Sequence, residues 1–293
     1  MSDKKSCEHK IEVPDAGQPI VFFMIVTVVF FFVSYNGAKV PEEKNFHGDF
    51  PIPDDKNLVS MFIYIALLVA GNYFINLNIS KEVCGTPMFF QTFITTLLPW
   101  VLIFVVLLFI LRILPGWLAP FSNTIGYLIA KVAGLEKLLD QLLIPQAEIE
   151  NGLPDGTEEQ KKNLGLVTQN LEQIYKDKSL LINEVTIMNF SEFYQRFNRA
   201  GLFNQRFINF EESEKRFPQN EFYNYIILKD KVAEYLWYLL TGLLVTSVSY
   251  NYIVGQACTT SVKEMEKTHQ AYLKLQEEID KSKKNTTNYD ISS

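Results

Sequence analysis

Residues 89–114 form an apolar run with no charged side chain before Arg112. A helix needs about 20 apolar residues to cross a bilayer core, so this one segment can span a membrane. The run stops at Pro115-Gly116-Trp117, and a polar turn, Ser122-Asn123-Thr124, follows. Beyond it Ile125, Leu128, Val132, Leu135, Leu139 and Leu142 recur at helical spacing, with Lys131, Lys137 and Asp140 off that face. A spanning helix thus breaks at an elbow and hands over to an amphipathic helix that lies in the interface or packs on a neighbouring protein. Pro115, Gly116 and Pro120 are expected to fix the turn and Trp117 to set its depth. Ser122 or Asn123 is expected to cap the next helix.

The remainder of the chain fits this frame. Hydrophobic residues make up 48% of the 293, yet the mean hydropathy is only +0.05. Such an average mixes apolar spans with a polar, water-facing part. Candidate spans fall at about 20–35, 58–77, 89–114 and 233–257. The first reads as a signal-anchor rather than a cleaved signal peptide. Pro99, inside the third span, cannot donate its amide and predicts a kink, with the Thr95 carbonyl losing its partner. Asn72 and Asn76 share a face of the second span and predict an interhelical hydrogen bond. Ala66 and Ala70 form a small-residue pair suited to close helix approach. Asn72, Asn76, Pro99 and Trp100 are therefore the expected packing residues of the spans.

Four spans put Cys7, Cys84 and Cys258 on one side. Cys84 and Cys258 each lie at a span edge, so a disulfide between them and two free thiols are both open. Lysines and arginines near the span ends are balanced, so charge does not set the orientation.

The organisation that results is an all-α, multi-span protein of about four transmembrane helices, with an interfacial amphipathic helix and a small, mostly helical soluble domain. A polar leader occupies 1–19, spans one to three 20–114, and the elbow with its amphipathic helix 115–145. The soluble domain occupies 146–230, the fourth span 231–258, and a helix with a polar tail 259–293. In the soluble domain Thr157 and Gln160 form a capping box, and Leu164, Val167, Leu171 and Ile174 give the next helix an apolar side. From Phe190 to Tyr225 aromatics alternate with Arg196, Arg199, Arg206 and Arg216. Interleaved glutamates and a net charge of −6 favour an aromatic core or protein contact over nucleic acid.

No catalytic chemistry is expected. His9, His47 and His269 stand apart from one another and from any cysteine or acidic pair at metal spacing. No phosphate loop, nucleophile elbow or zinc-protease motif occurs. No metal, cofactor or small-molecule substrate is expected, and the chain is read as a non-enzyme.

The residues Cys84-Gly85, Pro99-Trp100, Pro115-Gly116-Trp117, Pro120-Phe121-Ser122-Asn123-Thr124 and Gly126-Tyr127 resemble the central region of a membrane-associated minor capsid protein family. That family belongs to large icosahedral DNA viruses of the chlorella-virus, mimivirus and related groups. The resemblance covers 72–143, about a quarter of the chain, with Ile125 where an aromatic would be expected. It implies a structural virion protein that anchors the capsid shell to an internal viral membrane. Its partners would be the lipid membrane and other minor and major capsid proteins. The alternatives are a small channel or carrier built on the Asn72/Asn76 face, and a membrane adaptor that binds a protein partner.

Overall fold

A computed structural model of the chain describes residues 15–46, 49–52, 56–145, 172–214, 216–255, 258 and 262–285. Among these the fold is all-α, and the only bridge between extended residues is an isolated one between Leu143 and Phe203. Four helices are long and apolar enough to cross a membrane: α1 (Gly17–Ala38), α2 (Lys56–Cys84), α3 (Phe89–Ile113) and a much longer one, α9 (Pro218–Gly255). They pack side by side around an aromatic core of Phe23, Tyr64, Leu68, Trp100, Phe104 and Tyr238. Outward they present Ile25, Phe32, Phe62, Phe74, Phe90, Leu102 and Phe109, all exposed. A contiguous apolar belt of this kind is suited to lipid and not to water.

Within α3 the backbone departs from α geometry where the sequence predicts it. The helix is regular over Phe89–Pro99, widens to a π-helix over Trp100–Val105, and resumes over Val106–Ile113. A missing amide at Pro99 is the physical cause. The Thr95 hydroxyl donates to the Gln91 and Thr92 carbonyls, at 3.0 and 3.2 Å. The wider turn sends both Trp100 and Phe104 into the bundle core. Ala66 and Ala70, in contrast to expectation, face outward. Gly71 and Gly242 supply the close approaches instead, each seating a phenylalanine ring of α1.

A second core lies outside the bundle. It gathers Val40 and Phe50 from the α1–α2 link, Leu135, Leu139 and Leu142 from α5 (Leu135–Leu142), and Phe190 and Tyr194 from α7 (Phe190–Arg199). Phe203 joins them, as do Leu181 and Ile182 from α6 (Ser179–Asn183), Ile208 from α8 (Gln205–Ser213), and Phe222, Tyr223, Ile226 and Ile227 from the first half of α9. The aromatics of 190–225 thus form this core, with Phe50 and Phe190 edge to face at 4.8 Å. Arg196 and Arg216 pair with Glu192 and Glu211 at the surface. The expected border between residues 230 and 231 falls inside α9, which runs unbroken through both cores. Its 38 residues reach roughly 57 Å at 1.5 Å per residue. The capping box Thr157/Gln160 and the residues Leu164, Val167 and Leu171 lie outside the described residues.

Candidate functional site

The elbow residues converge on the middle of α9. After α3 the chain makes a 3-10 turn over Pro115–Leu118, with Pro115 at its first position, where a missing amide costs nothing. A helical turn, Ala119–Phe121, leads into a second π segment, Ser122–Gly126, and then into α4 (Tyr127–Ala133). Ser122 and Asn123 cap no helix, contrary to expectation, because α4 grows directly out of the π segment and needs no new start. Their side chains turn instead to α9. The Ser122 hydroxyl donates to Asp230 at 2.6 Å, and Asn123 Oδ1 accepts from the Lys229 ammonium at 3.5 Å. Thr124 turns its hydroxyl back to the Pro120 carbonyl at 2.5 Å.

Lys229 is the centre of this junction. Its side chain is 0% exposed, and a buried ammonium is tolerated only when its protons find partners. They do so on the Ile182 and Val185 carbonyls, both at 2.8 Å, as well as on Asn123. Asp230 also accepts from the Ile187 amide at 3.4 Å. Each of the two side chains therefore ties both the elbow and the 182–187 turn to α9. Gly126 allows this closeness: a Cβ there would sit 2.4 Å from the Lys229 carbonyl oxygen. Gly116 has open space around its Cα and an ordinary backbone, so the turn does not depend on it as expected.

One level further along α9, the Trp117 and Trp237 rings stand 6.0 Å apart. Phe121 meets Trp237 edge on at 5.1 Å, and the Trp237 indole N–H donates to the Trp117 carbonyl at 2.9 Å. Tryptophans are enriched where membrane-spanning helices meet the headgroups, and this pair stands at the end of the apolar belt. From Trp237 to Gly255 the helix covers roughly 28 Å, close to the thickness of a bilayer core. The part before Trp237 projects about as far on the other side.

That projecting part also grips the α1–α2 link. Asn220 Nδ2 donates to the carbonyls of Pro41, Glu42 and Lys44, and Asn224 exchanges two hydrogen bonds with the Val40 backbone. Tyr223 donates to the Pro51 carbonyl at 2.9 Å.

The expected single amphipathic stripe is divided. Gly134, at φ 121°, turns the chain between α4 and α5. Leu135, Leu139 and Leu142 are buried in the second core, whereas Ile125, Leu128 and Val132 are exposed, Val132 at 80%. Across the turn the Tyr127 hydroxyl and the Lys131 ammonium both donate to Glu136, at 3.0 and 2.8 Å. Lys131 chiefly holds the Glu136 carboxyl below its usual range. Burial, together with Glu136, raises the Tyr127 phenol. Tyr175, which donates to the Ile144 carbonyl, is pushed up to about 12 by burial.

At the far end of the bundle Cys84 and Cys258 are joined in a disulfide, with 5.4 Å between Cα atoms. Asn76 donates to the Thr96 hydroxyl of α3 at 2.9 Å, while Asn72 bonds the Leu68 carbonyl of its own helix. Pro99 is buried in α3, and Trp100 is buried as part of the aromatic core.

Sequence reasoning singled out the elbow and missed Lys229 and Asp230, on which it docks, and Asn220 and Asn224, which hold the α1–α2 link. One signal was available. Lys229-Asp230-Lys231 interrupts an otherwise apolar stretch between Ile226-Ile227-Leu228 and Val232-Ala233. Charges amid an apolar helix pattern point to buried, partnered groups. Among the described residues no cluster of His, Cys, Asp or Glu could hold a metal ion. The hydrogen bonds at Lys229 and Asp230 join the apolar bundle to the second core. Comparisons with known protein families, curated proteins and solved structures find no match.

Proposed function

We propose that the chain is a structural virion protein, a minor capsid component that anchors a protein shell to an internal membrane. The observation that carries this reading is the unbroken helix Pro218–Gly255, which serves both as a bundle helix and as the spine of the second core. A hinged or two-piece connection would let the outer part swing. A single helix clamped about a third of the way along by Lys229, Asp230 and the elbow transmits force and orientation from lipid to shell. The exposed apolar residues Ile113, Leu114, Trp117, Leu128 and Val132 extend the belt sideways past the end of α3, a shape that rests in the headgroup layer. The elbow resemblance to the minor capsid family supports the same role. The bundle centre is filled by Phe23, Leu68, Trp100 and Phe104, which favours an anchor over an open channel.

Two measurements on purified virions test the proposal. Electron density beneath the shell should contain a four-helix span with a helical strut reaching outward from the membrane. Alkaline carbonate should leave the chain with the lipid. Recovery with the capsid alone, and never with lipid, would sink the proposal.

A further inference from the structure

The half of the bundle nearest the disulfide is polar inside. α2 contributes Asn72 and Asn76, α3 contributes Thr92, Thr96 and Trp100, and α9 contributes Thr246 and Ser249, each at most 1% exposed. Their levels follow from contacts. The Asn76–Thr96 hydrogen bond sets the antiparallel register of α2 and α3 and brings Asn72 level with Trp100. The Cys84–Cys258 bond joins residues 174 apart, and the Tyr64–Tyr238 ring pair, at 6.3 Å, has the same offset. That offset brings Thr246 level with Asn72, with Ser249 about one turn on, near Asn76.

In these adjacent layers six polar atoms have no protein partner: Oδ1 of Asn72 and of Asn76, Oγ1 of Thr92 and of Thr246, Oγ of Ser249, and Nε1 of Trp100. Buried polar groups in folded proteins are nearly always paired with protein or ordered water. The kinds of atom select the ligand. The amide oxygens only accept and the indole N–H only donates. A cation would satisfy the oxygens and leave the indole unpaired; an anion would do the reverse. Water does both, and a polar site holds it where there is room and several partners.

The layers border a cleft at one end and meet an aromatic stop at the other. Thr246 also lines a cleft of about 170 Å³ with Ala16, Ile20, Ser247, Tyr250 and Asn251. Toward the elbow the path ends at Phe23, which is fully buried beside Trp100, ring centroids 6.0 Å apart. Its ring fills the notch at Gly242, where a Cβ would come within 2.1 Å of it. We infer that this half of the bundle is a blind hydrated vestibule, in which a short chain of bound water links Trp100, Asn72, Asn76, Thr92, Thr246 and Ser249 and stops at Phe23. The inference stands apart from the anchoring role and concerns the bundle alone.

Water-edited solid-state NMR on the full chain in lipid bilayers tests it. In the wild type, the Trp100 indole N–H should receive magnetisation from water several-fold faster than the buried ring of Phe104, one turn away. Asn72→Leu combined with Thr246→Val should slow transfer to Trp100 several-fold and leave Trp237, at the other membrane face, unchanged. Transfer to Trp100 as slow as to Phe104 in the wild type would overturn the inference, and that measurement needs no variant to fold.

Discussion

The two ends of α9 bury polar groups in opposite ways. Around Lys229 and Asp230 each charge meets hydrogen-bond partners supplied by the elbow and the 182–187 turn. Around Thr246 and Ser249 the same helix buries hydroxyls with no protein partner, beside Asn72 and Trp100. The first arrangement is a lock, because removing any member leaves a charge or a carbonyl stranded. The second is loosely determined, since neutral groups in a bundle can exchange partners or bind water at little cost. The lesson concerns position: the specific geometry sits where the bundle meets the second core, and the apolar bundle supplies attachment more than precision.

Breaking the lock should give the largest effect. Lys229→Ala removes the cation beside Asp230 and strands two carbonyls, and should cost about 3–5 kcal/mol, as for other buried charges deprived of a partner. Thermal unfolding in detergent, followed through the buried aromatics, would measure it. If the variant were as stable as the wild type, the contrast between the two ends would disappear. Opening the disulfide comes next. Cys84→Ser should cost about 2–4 kcal/mol if the constraint acts on the unfolded chain as it does in soluble proteins. Equal unfolding midpoints with and without reductant would refute it.

Gly126→Ala drives a methyl toward the Lys229 carbonyl and should cost about 1–3 kcal/mol by overpacking, whereas Gly116→Ala, in open space, should be nearly silent. Measuring the two side by side separates elbow residues that dock from those that only turn. In the bundle, Asn76→Leu removes one interhelical hydrogen bond and should cost less than about 1 kcal/mol. A loss as large as that for Lys229→Ala would make the polar layers a second lock.

The smallest effect concerns pH. Glu136 is held below its usual range, chiefly by Lys131, so its contribution is fully present above the unfolded value. It fades as pH falls through the lowered native value. Lys131 and Glu136 are both partly exposed, so the change should be slight. The Lys131→Met variant should show weaker fading in an acid titration of stability, with the Tyr127 hydrogen bond to Glu136 still in place. A pH profile unchanged from wild type would refute the role of Lys131.

Much of this was open to reading along the chain. The spans, the break at Pro115, the irregular turn after Pro99 and the aromatic core of 190–225 are local consequences of run length, a missing amide and side-chain type. The elbow was also legible as a motif, though its roles were partly misassigned. Ser122 and Asn123 have the chemistry of helix caps, and only the π segment and the nearness of α9 turned them toward Asp230 and Lys229. The stripe from Ile125 to Leu142 reads as one face until Gly134, at positive φ, redirects its second half into the core. Lys229 could be noticed but not explained, since its acceptors lie 44, 47 and 106 residues away in sequence.

By itself the amino-acid order determined that this chain makes apolar helices, where they break, and which side chains cannot face lipid, because those properties depend on neighbours within a turn or two. The tertiary structure alone decided that the fourth span and the outer core share one helix, that the two cysteines meet, and which buried polar groups find partners. Those outcomes depend on distances between segments remote in the chain, and hydrogen bonding, steric overlap and disulfide formation all act through space at a few ångströms.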